Sequence, residues 1–369
     1  MALSTGELVV QVDDAAAPLD QLCGFAARRN PRRGFLFVSR VLGRHVPVHP
    51  ARMRWAHARL AARIEPDLPG PLLFVGLAET ATGLGQGVHD AWRRRAGRAD
   101  ALFLHSTRYR LNREPLLHFR EEHSHAPAHL LYRPTSPLLR RMLERVRSVV
   151  LVDDEASTGT TFLNLAGALA PVLPRLERVT LAVLTDWCGP AGRAALCAAM
   201  PVPARMASLL AGRYAFTPGA GLGETAAPVA EGDGAPKDLL LPRCYGRLGG
   251  RMDPVQARAM ARRLFRRRGE RLLVLGTGEF THPPYRMAAE LERLGAAVWF
   301  QATTRSPALV GHALKCALQF TDNYGDGIAN WIYNVRREAY DRVLVCHETP
   351  PETLDPVLLA ELAAESVAF

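Results

Sequence analysis

Short apolar runs alternate with longer amphipathic stretches along this chain, and this rhythm limits the fold more than any other feature of the sequence. In the first half, the strand-like runs are Leu72 to Leu77, Ala101 to Leu104, Val149 to Val152 and Val179 to Leu184. Strands separated by helix-length segments are typical of a parallel sheet with helices packed on its faces. The sequence therefore predicts an α/β domain.

A segment crowded with Gly, Pro and Ala interrupts the rhythm between Thr217 and Asp238. It has no apolar periodicity, as is typical of a linker. Beyond it the rhythm restarts with strand-like runs at Leu272 to Leu275, Ala297 to Phe300 and Val343 to Val345. These runs predict a second, smaller α/β domain of the Rossmann-like kind.

The length of 369 residues exceeds the usual size of one hydrophobic core, so two domains are expected. We predict a first domain at 1–213, a linker at 214–240 and a second domain at 241–369.

The formal net charge of +10 raises the possibility of a nucleic-acid partner, because basic patches bind phosphate backbones. Lys237 and Lys315 are the only lysines, and the arginines are scattered through an Ala-rich background. The densest arginine run, within 262–271, falls on a helix-like stretch and is typical of a solvated face. We therefore expect phosphate-rich small substrates rather than nucleic acid.

The six cysteines form no CxxC pair, so neither a zinc ribbon nor a disulfide framework is indicated. Free thiols fit a reducing cytoplasm, and we predict a cytoplasmic protein. The first residues lack the basic start and apolar stretch of a signal peptide. No run is long and apolar enough to span a bilayer, so no membrane partner is expected.

The segment from Val149 to Thr161 reads VVLVDDEASTGTT and combines an apolar strand, two acids and a turn of small hydroxylated residues. Asp153 and Asp154 follow the strand, at the edge where open α/β sheets bind ligands. Adjacent carboxylates there can accept hydrogen bonds from the vicinal hydroxyls of a ribose. The turn that follows can wrap its amides around a phosphate at a helix N-terminus. Its residues are Ser157, Thr158, Gly159, Thr160 and Thr161.

These thirteen residues resemble the phosphoribosyl pyrophosphate signature of type I phosphoribosyltransferases. The resemblance implies binding of 5-phosphoribosyl-1-pyrophosphate, with Asp153 and Asp154 on the ribose and on Mg²⁺ that is coordinated mostly by the substrate. The 6-oxopurine enzymes carry an acid at the place of Ser157. That reaction is therefore disfavoured here unless Glu155 or a lid histidine substitutes.

A wider resemblance covers most of the chain and joins a phosphoribosyltransferase to a TRSP domain. It rests on NPRRGFLFVSRVLGRHVP from Asn30, GLAETATGLG from Gly76, EEHSHAPAH from Glu121 and TTRSP from Thr303. Proteins of this bacterial family are associated with tellurium-resistance-type stress gene clusters. The resemblance does not indicate the base that accepts the ribose.

The resemblance also implies a pyrophosphate site in the loop after the strand Leu72 to Leu77. Small residues there suit a close approach of the backbone to the ligand. The residues predicted to bind pyrophosphate are Thr80, Ala81, Thr82 and Arg108.

The stretch from Thr107 to Pro127 is long, polar and rich in Arg and His, as loops that act as lids often are. Type I enzymes close such a loop over the reacting centre, so we predict that His123 and His125 belong to a lid. A zinc site and a plain solvated loop are the alternatives. Zinc is disfavoured because no cysteine supports the histidines.

An aromatic residue and an acid follow the last strand of the first domain, at Trp187 and Asp186. The ring can stack on a base and the carboxylate can hydrogen-bond to it. With Phe35 as part of a hood, these residues are predicted to recognise the base. The alternative is that Trp187 covers the sheet edge and that Phe35 lies in the core.

In the second domain, polar motifs follow three predicted strands, and parallel strands would bring them to one sheet edge. We predict a second ligand site there, with an anion bound at Arg305. Its residues are Gly276, Gly278, Glu279, Thr304, Arg305 and Ser306.

Together these features predict an enzyme, a phosphoribosyltransferase that uses Mg²⁺ and 5-phosphoribosyl-1-pyrophosphate to make a nucleotide-like metabolite from an unidentified base. The main alternative is a non-enzymatic sensor that binds the same ligand or a nucleotide. A homodimer is compatible with the sequence, which does not decide the oligomeric state.

Overall fold

The protein is described by a computed structural model that covers residues 1–28, 30, 33–120, 128–219 and 234–369, with the side chains of Arg120 and Ala128 left out. In the first half, the strands are β1 (Ala2–Leu3), β2 (Gly6–Ala15), β3 (Cys23–Ala27), β4 (Phe35–Ser39), β5 (Leu72–Gly76), β6 (Ala101–His105), β7 (Pro115–Arg120), β8 (Ala128–Tyr132), β9 (Ser148–Ala156), β10 (Arg178–Asp186) and β11 (Ala204–Pro218). The helices are α1 (Leu19–Leu22), α2 (Pro50–Ala62), α3 (Thr82–Ala96), α4 (Pro137–Leu143), α5 (Thr160–Leu169) and α6 (Gly189–Ala198), with a 3₁₀ turn at Ala170–Val172.

In the second half, the strands are β12 (Arg271–Gly276), β13 (Ala297–Ala302), β14 (Ala317–Thr321), β15 (Ala329–Tyr333), β16 (Arg342–His347) and β17 (Glu365–Ala368). The helices are α7 (Pro254–Leu264), α8 (His282–Leu294) and α9 (Pro356–Glu361), with 3₁₀ turns at Arg337–Ala339 and Pro351–Thr353.

The larger sheet has seven strands in the order β1-β2-β11-β10-β9-β5-β6. The strands from β11 to β6 are parallel, while β2 and β1 add an antiparallel edge. Its inner strands are apolar on both faces, as expected when helices cover both sides of a parallel sheet. The predicted α/β fold with flanking helices is confirmed, and each predicted strand is present.

Alternate residues of the same strands supply two different cores. Phe74 and Val152 face one core, which also contains Trp92 of α3. Val75 and Leu151 face the other, together with residues of α5 and α6. The side-chain period of two therefore divides each strand between two helix layers.

The smaller sheet has four parallel strands in the order β13-β12-β16-β17. Residues from the first half of the chain enter its core, because Val48 and Met53 pack with Phe300 and Met287. Val48 also exchanges two backbone hydrogen bonds with Phe300, of 2.9 and 2.8 Å. The two sheets are thus joined by shared packing, a feature that the apolar rhythm of the sequence did not predict.

Candidate active site

The carboxyl ends of β5, β6 and β9 meet at one edge of the larger sheet, and a cavity of about 210 Å³ opens there. The register pairs Gly76 with both Val152 and His105, so the loops that follow these strands lie side by side. The residues that line the cavity are Arg28, Arg33, Leu36, Phe37, His45, Leu77 to Thr80, Arg108, Asp153 to Phe162 and Thr304 to Ser306.

The acid pair lies in this cavity and is tied to the loop after β5. The Thr80 hydroxyl lies 2.9 Å from Asp154 Oδ1 and 3.3 Å from Asp153 Oδ1, so it donates to the pair. The Asp154 amide also donates to Asp153 Oδ1 at 2.9 Å. Burial raises the pKa of the Asp154 carboxyl, although Thr80 favours the charged form. A ligand that brings hydroxyl donors or a cation would offset this loss of hydration.

The hydroxylated turn connects β9 to α5 at the mouth of the cavity. Gly159 has φ +76° and precedes the first residue of α5, and a Cβ on it would collide with the Leu196 side chain. The Thr158 and Thr160 hydroxyls lie 3.0 Å apart at the start of the helix. Free amides at a helix N-terminus bind anions through their hydrogen bonds and the helix dipole. The turn therefore has the geometry of an anion-binding helix N-terminus, and phosphate binding by it stays a prediction.

Glu155 is a third acid of the cavity lining and comes directly after the acid pair. It forms an ion pair with Arg33, whose guanidinium lies 5.1 Å from the centroid of the Phe35 ring. Burial raises the pKa of the Glu155 carboxyl even though the positive charge of Arg33 lowers it. The sequence did not indicate that Arg33 lines the cavity, although this residue belongs to the NPRR motif that carried part of the resemblance.

Two of the four residues predicted to bind pyrophosphate line the cavity, namely Thr80 and Arg108. The Ala81 amide donates to the Leu77 carbonyl at 2.8 Å, so it is already used within the loop. The Thr82 hydroxyl donates to the Glu279 carbonyl at 2.9 Å, so it faces the second half of the chain instead. Ala81 and Thr82 do not line the cavity, and their part in pyrophosphate binding stays a prediction.

The residues predicted to recognise the base do not line the cavity. Trp187 is buried and stacks on Phe37, with ring centroids 4.6 Å apart. Asp186 is fully buried, pairs with Arg193 and accepts the Cys188 amide at 2.9 Å. Phe35 is also buried in the core. Their contacts are those of packing and turn stabilisation, and their part in base recognition stays a prediction. Phe37, on which Trp187 stacks, does line the cavity.

The lid prediction rests on His123 and His125, which lie outside the described residues. His129, which follows them, is buried and shares a 3.0 Å hydrogen bond with the Ser106 hydroxyl. Within the described part of the chain, no group of three or more His, Cys, Asp or Glu side chains could hold a metal ion.

The motifs of the smaller sheet face the first half of the chain rather than forming a separate site. Thr304, Arg305 and Ser306 line the same cavity as the acid pair. Glu279 is buried and accepts from the Thr107 hydroxyl at 2.6 Å. This placement does not support an independent ligand site on the second sheet.

The glycines predicted for that site have packing roles. A Cβ on Gly276 would lie 2.5 Å from the Phe280 carbonyl oxygen. Gly278 has φ +52° and lies against Tyr324. Both positions need glycine for close packing, so these glycines are explained without a ligand, and their part in a second site stays a prediction.

A cavity with an acid pair and a hydroxylated turn at the carboxyl edge of a parallel sheet lies where α/β enzymes bind their ligands. The family described as phosphoribosyl transferase matches residues 22–213, which is more than half of the chain. The chain therefore belongs to the phosphoribosyl transferase family, whose members are enzymes of the glycosyltransferase class. The TRSP domain, described as C-terminal to this family, matches residues 249–362. The predicted fusion is confirmed.

Solved structures similar to this chain include the adenine phosphoribosyltransferase from Rhodothermus marinus, at 18% identity and a TM-score of 0.33, covering 52% of this chain and 95% of that one. The Giardia lamblia enzyme complexed with 9-deazaadenine has 17% identity and a TM-score of 0.37, covering 53% and 97%. The orotate phosphoribosyltransferase from Mycobacterium tuberculosis has 15% identity and a TM-score of 0.31, covering 52% and 91%. At these values the family assignment depends on the family match alone.

A comparison with curated proteins finds no match. Among the described residues, no helix combines the length and apolar character that crossing a bilayer requires.

Proposed function

We propose that this protein transfers the ribose 5-phosphate group of 5-phosphoribosyl-1-pyrophosphate to a nitrogen of a base or base-like acceptor. The observation that carries the proposal is the Thr80 hydroxyl, whose one hydrogen lies between the two acids, nearer to Asp154, and so links the loop after β5 to the end of β9. One small cavity thereby combines donors for pyrophosphate, carboxylates for the ribose and a turn for the 5-phosphate.

In the proposed reaction, the bond from ribose C1 to the pyrophosphate oxygen breaks and a bond from C1 to the acceptor nitrogen forms. Pyrophosphate leaves with the bonding electrons, and the acceptor nitrogen gives up its proton to solvent water. Asp153 and Asp154 hold the ribose hydroxyls, while Ser157 to Thr161 hold the 5-phosphate. The chain then acts chiefly by positioning the substrate and stabilising the charge that develops at C1.

The acid pair fits a magnesium ion that is shared with the substrate. Mg²⁺ prefers oxygen ligands and is commonly held by one or two carboxylates together with substrate phosphates. Asp153 and Asp154, which lie side by side in the cavity lining, would supply those carboxylates. The ion would offset the negative charge of the departing pyrophosphate.

The same proposal covers four further points. We propose the division at 1–213, 214–240 and 241–369, the cytoplasm as the compartment and a homodimer as one assembly to test. An association with tellurium-resistance-type stress gene clusters rests on the sequence resemblance alone.

The test is incubation of the full chain with Mg²⁺, 5-phosphoribosyl-1-pyrophosphate and a panel of bases, with pyrophosphate release and new nucleotides followed by mass spectrometry. The double variant Asp153→Asn with Asp154→Asn should lower turnover by at least a hundredfold. Neutral amides cannot stabilise the positive charge that develops at C1, and they bind Mg²⁺ more weakly than carboxylates do. Asp13→Asn with Asp14→Asn is a matched control, since these adjacent acids are exposed on β2. Full activity of the first variant would refute the site. Ligand binding without turnover on any base would favour a sensor.

A further inference from the structure

The cavity is closed on one side by residues from the second half of the chain. Thr304 to Ser306 follow β13 and line the cavity together with the acid pair. The Arg305 amide donates to Glu79 Oε2 at 3.3 Å, and Glu79 is the neighbour of Thr80. The loop after β13 therefore lies against the loop predicted to bind pyrophosphate.

Arg305 anchors this loop to its own half of the chain. Its guanidinium pairs with Asp326 at 3.2 Å and with Asp322 at 3.5 Å, and it donates to the Tyr109 hydroxyl at 3.1 Å. The side chain is almost fully engaged by these groups. These contacts hold the loop in place, and Thr304 and Ser306 line the cavity on either side of Arg305.

Glu279 of the LGTGEF motif accepts hydrogen bonds from the loop after β6. Its Oε2 accepts from the Thr107 hydroxyl at 2.6 Å, and its Oε1 accepts from the Arg108 amide at 2.7 Å. Both carboxylate oxygens are therefore used to fix the backbone next to Arg108, which lines the cavity. Arg247 pairs with Glu279 at 3.1 Å and keeps it charged in this buried place.

Arg44 makes the corresponding link for the loop after β5. It is almost completely buried and donates to the Gly278 carbonyl at 2.9 Å and to the Thr303 carbonyl. It also donates to the Glu79 carbonyl. A single guanidinium thus joins the two loops of the second half to the loop that contains Thr80.

Resting on the phosphoribosyl transfer proposed above, we infer that the C-terminal half is a working part of the transfer site. Thr304 and Ser306 form its wall beside the pyrophosphate group. Glu279 and Arg44 are positioning residues that hold the loops of Arg108 and Thr80. In this inference the second sheet binds no separate ligand, and its TTRSP and LGTGEF motifs form part of the site at the edge of the larger sheet.

The positioning role is tested in the full chain with Glu279→Gln. We expect amide hydrogen exchange across 105–109 to rise at least tenfold, since the amide nitrogen of Gln cannot accept the hydrogen bonds that one carboxylate oxygen accepts. The KM for 5-phosphoribosyl-1-pyrophosphate should rise by a similar factor. Glu290→Gln is the matched control, because Glu290 is also ion-paired but contacts Arg293 and Arg258 on α8 and α7. Unchanged exchange and KM in Glu279→Gln would overturn the inference.

The wall is tested with Ser306→Leu, which adds bulk at the cavity without removing a buried charge. The affinity for 5-phosphoribosyl-1-pyrophosphate, measured by calorimetry with Mg²⁺, should fall at least tenfold. Ser4→Leu, in an exposed turn, should have no effect. Normal affinity in Ser306→Leu would refute the wall while leaving the proposed function intact. If the unmodified chain binds no 5-phosphoribosyl-1-pyrophosphate at all, the proposed function itself fails, and the exchange experiment still reports on the positioning contacts.

Discussion

Replacement of Arg247 by Met should strongly destabilise the protein, because this arginine is the shared cation of two buried carboxylates. It lies 3.1 Å from Glu279 and 2.9 Å from Glu348, and all three side chains are about 1% exposed. Removal of one partner of a buried ion pair costs about 3–5 kcal/mol, since the remaining charge is left without compensation. Two acids lose their cation here, so we expect a loss of about 4–5 kcal/mol at pH 7.

The loss should depend on pH, and its sign follows from the pKa of Glu279. Burial alone would raise this pKa, but Arg247, His105 and the bonds from Thr107 and Arg108 outweigh burial and hold it below its ordinary value. The contribution of Glu279 to stability is therefore complete above the unfolded pKa of about 4.3 and is lost as the pH falls through the lowered folded value.

In Arg247→Met, burial acts on Glu279 without its main opposing charge, so its folded pKa should move upward. The unfolding free energy of the variant then falls as the pH rises above about 4.3, because Glu279 ionises freely in the unfolded chain but not in its buried place. The difference in unfolding free energy between the two proteins should accordingly be smaller at pH 4 than at pH 7.

Urea unfolding followed by tryptophan fluorescence at several pH values measures these differences, from the midpoint and the slope of each transition. Arg147→Met is the control, because Arg147 forms an exposed ion pair with Glu177 and its loss should leave the midpoint nearly unchanged. Addition of Glu279→Gln to Arg247→Met should restore part of the lost stability by removing one unpaired charge. A loss that is the same at pH 4 and pH 7 would refute the electrostatic reasoning.

Two further predictions concern the phosphate turn and the aromatic core. Gly159→Ala should destabilise the protein by about 1–2 kcal/mol and weaken ligand affinity at least tenfold, because a Cβ meets Leu196 and the left-handed φ is unfavourable. Gly97 shares the left-handed φ, but a Cβ on it would have nothing within 4 Å. The melting temperature should therefore fall in both Gly159→Ala and Gly97→Ala, and the ligand affinity only in Gly159→Ala. Trp187→Phe should cost about 1–3 kcal/mol in urea unfolding while the acceptor KM changes less than twofold, since Trp187 packs on Phe37 inside the core. A tenfold change in that KM would restore a role in base recognition.

Local signals in the sequence were sufficient for the main strands and for the centre of the site. The apolar runs of β5, β9 and β10 can be identified from their own residues because a buried parallel strand is apolar on both faces. The antiparallel edge strand β2 reads GELVVQVDDA, whose exposed acids and valines give no comparable signal.

The acid pair and the turn were also predictable, since their chemistry is contained in thirteen consecutive residues. The acid pair lies at the end of β9 and the turn leads directly into α5, so residues that are close in the sequence are also close in space. By contrast, the exclusion of Trp187 from the cavity depends on Phe37, which comes from a hairpin far away in sequence.

The sequence by itself thus determined the main strands of the two α/β sheets and the placement of the acid pair beside the hydroxylated turn, because both depend on interactions between residues that are close along the chain. Only the tertiary structure decided that the TTRSP and LGTGEF motifs lie against the loops of the first sheet, with Thr304 to Ser306 lining the cavity of the acid pair. The hydrogen bond from Thr82 to Glu279 joins residues 197 positions apart, and that from Arg44 to Gly278 joins residues 234 apart. Contacts over such separations depend on how the two sheets pack, and no local periodicity or motif specifies that packing.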